Sequence, residues 1–143
     1  AAEISNNRVM LNARNQSGHI KARLAVIGSN GGANWDTSYF DNQLPDPVCE
    51  GSILNIGTKN KKNILAFSNA ADTLRRDNLT LRISFDEGKT WAKRIPIDKS
   101  PVEGAKDFTA YSDLVKMSNK EIGVLYEKEG YAKIVFIVIN WKR

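Results

Sequence analysis

The sequence predicts an all-β protein made of antiparallel sheets, each of about four short strands. Three observations carry that expectation. Residues 84–91 have the composition of a tight turn and lie between two strand-like segments, 79–83 and 94–97. Residues 28–35 repeat the spacing of that turn in weaker form. Gly, Pro and Asn interrupt the chain at short intervals, which leaves little room for helix.

In the turn at 84–91, Asp86 can fold its carboxylate back onto backbone N–H groups and Gly88 can take positive φ. Trp91 can tuck beneath the turn as an apolar plug. The pattern is Ser84, Asp86, Gly88, Thr90 and Trp91, and the earlier segment aligns through Asn30, Gly32 and Trp35, with Gly28 and Asn34 replacing Ser and Thr. The two tryptophans are 56 positions apart (91 less 35), a period suited to the blades of a propeller with long loops.

Along the chain, residues 1–4 read as joining in mid-strand, and 8–14 and 21–27 as two strands across a loop. After the first turn motif come strands at 51–56 and 63–68, then 79–83 and 94–97 around the second. The last region gives 112–117, 122–127 and 134–140, with turns at 118–120 and 129–131. Roughly ten to twelve strands make about three four-stranded blades, short of the approximately four a closed propeller needs. The chain is therefore expected to be a portion of a larger propeller, completed by the same protein or by a companion chain.

Composition narrows the function classes. The chain has 143 residues, 41% hydrophobic and 26% charged, which suits one folded domain. Its longest apolar run, 134–139, has strand length, so no membrane span is expected. No leader is visible at the N-terminus. The formal charge is +5, but the basic residues are not interleaved with base-stacking aromatics, so nucleic acid is not an expected partner. An anionic small substrate fits better. With one cysteine, Cys49, no internal disulfide can form; a buried structural thiol is expected. The one histidine, His19, reads as an exposed loop residue, and a histidine-based dyad or metal cluster is not expected.

The octapeptide at 84–91 matches the Asp box, and with it the whole chain resembles the C-terminal half of a bacterial-type exo-α-sialidase (neuraminidase). The resemblance is carried by residues 9–14, 44–52, 67–70, 75–82 running into the Asp box, 111–114 and 123–127. It implies about half of a six-bladed β-propeller of antiparallel four-stranded blades, acting on sialylated glycans without metal or cofactor. A secreted or periplasmic location goes with it.

A sialic acid carries a carboxylate on its anomeric carbon, which a planar guanidinium can grip through two parallel charge-assisted hydrogen bonds. Three arginines do this in the family. Arg14 matches the second and Arg76 the third, with its neighbour Arg75 as competitor. Tyr111 matches the catalytic tyrosine, the nucleophile of an established exception to two-carboxylate glycosidases. A neutral phenol approaches the anionic sugar without the repulsion a carboxylate would meet. A phenol of pKa about 10 needs a base to act at neutral pH. Tyr39, Tyr126 and Tyr131 read instead as packing or edge residues, and Glu50 as a possible contact to the sugar.

By the family's spacing, the glutamate that activates the tyrosine would precede Ala1; Glu3 sits where the family has a strand residue. The first arginine and the acid/base aspartate belong to the other half, so this portion alone is expected to be inactive. Two alternatives stay open: an intramolecular trans-sialidase, which differs in whether water reaches the intermediate, and a non-catalytic sialic-acid-binding propeller.

Overall fold

The computed structural model describes residues 1–104 and 107–143. The strands are β1 (Ala2–Ile4), β2 (Arg8–Ala13), β3 (Ala22–Ser29), β4 (Asn34–Pro45), β5 (Gly51–Lys59), β6 (Lys62–Ala70), β7 (Leu79–Ser84), β8 (Lys93–Asp98), β9 (Thr109–Lys116), β10 (Glu121–Lys128) and β11 (Lys133–Asn140). They form a first sheet β1-β2-β3-β4, a second β5-β6-β7-β8 and a third of three strands, β11-β10-β9. Every pairing is antiparallel. The expectation of antiparallel sheets therefore holds; two have the four strands expected and the third has three. Among the described residues no helix is long and apolar enough to cross a membrane.

The second sheet is the hub, because both its faces are covered. All six residues of β7 are buried, so the exposed-polar alternation of a one-sided strand is absent. Toward the third sheet, Ile64, Ala66, Leu79, Leu81 and Ile83 meet Leu114, Ile122, Val124, Tyr126 and Trp141. Toward the first, Ile53, Leu65 and Phe67 meet Ala2, Ile4, Met10 and Leu44. Pro96 sits in β8, an outer strand of its sheet, where a missing N–H costs least.

The Asp-box turn closes as its composition dictates. Ser84 Oγ donates to Asp86 Oδ1 at 2.8 Å and accepts from Gly88 N at 2.8 Å. Asp86 takes the Thr90 amide on Oδ1 and the Thr90 hydroxyl on Oδ2, both at 2.8 Å. Burial would raise the Asp86 pKa, but these bonds outweigh it and hold the carboxyl below its ordinary value. Gly88 has φ 83°, and a Cβ there would meet Met10 Cε at 2.6 Å, so the hairpin lies directly against the first sheet.

The neighbouring residues clasp the two sheets. Glu87 Oε1 accepts the Ser5 amide at 2.9 Å, the Ser5 hydroxyl, and the Asn63 amide at 3.2 Å, while Arg8 stands 3.5 Å from Oε2. Trp91 tilts against Phe67 with ring centroids 5.7 Å apart and donates from Nε1 to Asp41 Oδ2 of β4 at 2.9 Å. The plug is thus a rivet between sheets. Trp35 differs: it is 55% exposed and lies over Gly28. Glycine at the serine position removes the hydroxyl that organises the other turn. The chain closes instead through a short 3-10 turn, Asn30–Gly32, with Ala33 N bonded to Asn30 O at 3.2 Å.

Replacing Asp86 by Ala removes the acceptor for three hydrogen bonds without touching the far end of the sheets. The expected cost is about 1–2 kcal/mol in urea unfolding, with turnover of the folded intact protein unchanged. The stabilisation is present above the ordinary carboxylate range and is lost as pH falls through the depressed folded value. Lost turnover in a fully folded variant would contradict a purely structural role.

Candidate active site

Antiparallel connectivity gathers a set of polar residues at the end of the sheets opposite the Asp box. Arg14 follows the end of β2, Glu50 precedes the start of β5, Arg76 precedes β7, Tyr111 stands near the start of β9, and Tyr131 lies in the β10–β11 turn. Alternate strand ends share one edge, so five segments distant in sequence meet there.

The centre is Tyr111, 37% exposed. Arg14 Nη1 donates to its phenol oxygen at 3.0 Å. The Arg76 guanidinium lies over its ring, Cζ 5.5 Å from the centroid. Arg76 is itself held from three directions. Its Nη1 donates to Tyr131 Oη at 3.0 Å, its Nη2 to the Val48 carbonyl at 3.3 Å, and its own carbonyl accepts Thr109 N at 3.0 Å. Burial disfavours its charge, but Cys49, Tyr131 and Tyr111 more than offset this and raise its pKa.

Arg75 takes another direction. It bonds its own loop, Nη2 standing 4.0 Å from Asp72 Oδ2 and its amide donating to Asp72 Oδ1 at 3.2 Å. The structure therefore brings both Arg14 and Arg76 onto Tyr111 and leaves Arg75 aside. Tyr131, read from sequence as packing or edge, is the hydroxyl that steadies Arg76. Residues 105 and 106 of the loop leading to Tyr111 lie outside the described residues.

The backbone under Tyr111 is irregular in a useful way. The β9–β10 register shifts between Tyr126 and Lys128, so Ala110 and Tyr111 together face Glu127. Such a bulge re-aims a side chain and takes N–H groups off the ladder. Two carboxylates satisfy them: Glu127 Oε2 accepts Tyr111 N at 3.2 Å and Glu50 Oε2 accepts Ser112 N at 3.0 Å. Glu50 is half-buried, and burial raises its pKa; the Ser112 amide and Arg23 pull it down, while Asp113 and Glu127 add to the rise. Both glutamates thus bond amides rather than the phenol.

Two clefts open on either side. One, of about 270 Å³, is lined by Asn12, Arg14, Arg23, Glu50, Gly51 and Tyr111. The other, of about 310 Å³, runs past Glu50, Tyr111 and Glu127 to Leu125 and Ile134. Beneath the first lies Arg23, 1% exposed, which the sequence reading did not single out. It donates from Nε to Asn12 Oδ1 at 2.7 Å, from Nη1 to the Cys49 carbonyl, and stands 3.4 Å from Asp46 Oδ1. Asp46 in turn accepts the amides of Asn15 at 2.7 Å and Cys49 at 3.0 Å. This buried knot fixes the 46–50 segment, and with it the Val48 carbonyl under Arg76 and the Glu50 carboxylate. Burial pushes the Cys49 thiol up to about 11, so it is an inert thiol near neutral pH. His19 is exposed, as expected.

The arrangement offers two cations to an anion and one phenol oxygen beside them. The BNR repeat-like domain family matches residues 1–126. A sialidase of Micromonospora viridifaciens is 34% identical over 133 residues, 87% of this chain and 19% of that protein. A sialidase of Bacteroides fragilis is 32% identical over 147 residues, 99% of this chain and 25% of that protein. Among solved structures, the Hadza microbial sialidase Hz136 superposes with a TM-score of 0.77 and 26% identity, covering 99% of this chain and 27% of that one. The chain thus spans about a quarter or less of the curated relatives named here.

Proposed function

Because this chain belongs to the BNR repeat-like domain family, with sialidases among its relatives, we propose that it forms part of an exo-α-sialidase. In this reading the intact protein hydrolyses terminal sialic acids from glycoconjugates, with retention. The observation that carries the reading is the Arg14–Tyr111–Arg76 contact set, 3.0 Å from guanidinium to phenol and 5.5 Å from guanidinium to ring.

The assigned roles follow from residue chemistry. Arg14 and Arg76 bind the sugar carboxylate; Tyr111 Oη attacks the anomeric carbon as the aglycone departs. Water then displaces the phenol, and two inversions give retention. Glu50, which lines both clefts, contacts the sugar's glycerol or N-acyl side. The phenol needs a proton acceptor and the aglycone a proton donor, and these roles fall to groups elsewhere in the intact protein. The three sheets are then about three of its six blades, a secreted or periplasmic enzyme acting on sialylated glycans. Mass spectrometry of the released sugar separates hydrolysis from an intramolecular transfer that gives an anhydro product.

Charge alone does not suffice for carboxylate recognition; the two-pronged guanidinium does. Arg76→Lys in the intact protein is expected to raise KM about 10-fold or more for sialosides. The effect should be small on an analogue lacking the carboxylate. Arg75→Lys should leave KM within about 2-fold of the parent. If Arg75→Lys carried the larger effect, the assignment of Arg76 to the carboxylate would be wrong.

A further inference from the structure

The net charge of +5 is not explained by the residues around Tyr111, where Arg14 and Arg76 share their end of the molecule with Glu50, Asp113 and Glu127. The excess cation lies at the other end. The β5–β6 turn carries Lys59, Lys61 and Lys62, the start of β8 carries Lys93, and Lys142 follows β11. None of these five is in an ion pair among the described residues. Of the carboxylates at this end, Asp86 is engaged by Ser84 and Thr90, Glu87 by Ser5 and Asn63, and Glu121, opposite Asn140, by Ser118.

Three of the lysines surround a cleft of about 420 Å³ between the second and third sheets, with Ile64, Phe85 and Trp141 on its apolar wall. Phe85 and Trp141 lie with ring centroids 6.4 Å apart. Lys59 Nζ stands 5.6 Å over the Phe85 ring and Lys142 Nζ 5.1 Å over the Trp141 ring. Lys93 Nζ is braced by the Trp141 carbonyl at 2.7 Å. The volume is that of a small-molecule site. An apolar wall under ammonium groups suits a sugar ring, whose C–H face packs on apolar and aromatic surface while its acidic substituent meets the lysines.

We propose that this cleft binds an acidic sugar residue of a polyanionic glycan, at a site separate from Tyr111. Strands of about eight residues put the two ends roughly 25 Å apart, too far for one monosaccharide to span. Lys61 and Lys62, just beyond the cleft, extend the cationic track for neighbouring units of the same polymer. The site would hold the enzyme on an acidic glycan coat while the other end acts on chain termini.

The test measures binding of the intact protein to two polymers that are not sialosides, hyaluronan (carboxylate only) and chondroitin sulfate (carboxylate and sulfate), at low and high salt. Binding to either polymer that weakens with salt is expected. Lys59→Glu combined with Lys142→Glu should weaken it at least about 10-fold, while cleavage of a small sialoside stays unchanged. Both lysines are exposed, so folding should survive, and unfolding midpoints check it. Preference for one polymer tells carboxylate from sulfate recognition. Absence of binding at low salt, equal binding by the double variant, or loss of binding in Arg14→Lys instead would each overturn the proposal. So would equal affinity for duplex DNA, which would reduce the cleft to undirected positive charge.

Discussion

Replacing Tyr111 by Phe in the intact protein is expected to lower kcat for sialosides by about 10³-fold or more, with affinity for a sialic acid analogue largely retained. The substitution deletes one oxygen. The guanidiniums assigned to the carboxylate keep their supports: Arg76 keeps Tyr131 and the Val48 carbonyl, and its place over the ring. Only the Arg14 bond to the phenol is lost, and that nitrogen faces an open cleft where water or substrate can replace it. The proposed nucleophile and the proposed binding groups can therefore be separated by mutation. Steady-state kinetics together with calorimetric titration of the analogue would show it. Normal turnover in Tyr111→Phe would return the residue to a packing role.

The largest expected effect on stability comes from Arg23. Arg23→Met leaves Asp46, with no side-chain exposure, without its cation, and removes the donor to the Cys49 carbonyl. Breaking a buried pair from one side costs about 3–5 kcal/mol, far more than the pair's net worth, because the remaining charge stays desolvated. The loss should appear in the urea midpoint of the intact protein. It should also loosen the 46–50 segment, raising KM for sialosides through the Val48 and Glu50 contacts. An unchanged midpoint would mean that Asp46 is stabilised by the Asn15 and Cys49 amides alone.

What the sequence made legible was local chemistry. The Asp-box hairpin could be read because its hydroxyl, carboxylate and glycine act within a few positions of one another. Strands with apolar residues in strand-length runs, such as 63–68 and 134–140, were readable for the same reason. β4 was not: between Asn34 and Phe40 each residue is exposed, and polar residues dominate, so no periodicity marks a strand held mainly by ladder bonds to β3. Trp35 looked equivalent to Trp91, yet a rivet needs a partner sheet, and that is a tertiary fact.

The site divides the same way. Arg14, Arg76 and Tyr111 are named through motif order, and the fold sets both arginines against the tyrosine. Arg23 was invisible because an arginine in an alternating strand reads as a solvated charge; its burial depends on Asp46 and Asn12 arriving from two other segments. Glu127 lies in the 123–127 motif, where sequence alone gives it no task. Its role, accepting the Tyr111 amide, exists only because the β9–β10 register slips at that point.

The central claim, that Tyr111 bonds covalently to the sugar, is tested most directly by trapping. A sialosyl substrate with fluorine beside the anomeric carbon slows both steps, and a good leaving group restores the first, so the intermediate accumulates. Digestion and mass spectrometry of the intact protein should then place one sialosyl group on the peptide carrying Tyr111. A sialosyl group on any other residue, or turnover of this substrate with no adduct at Tyr111, would contradict it.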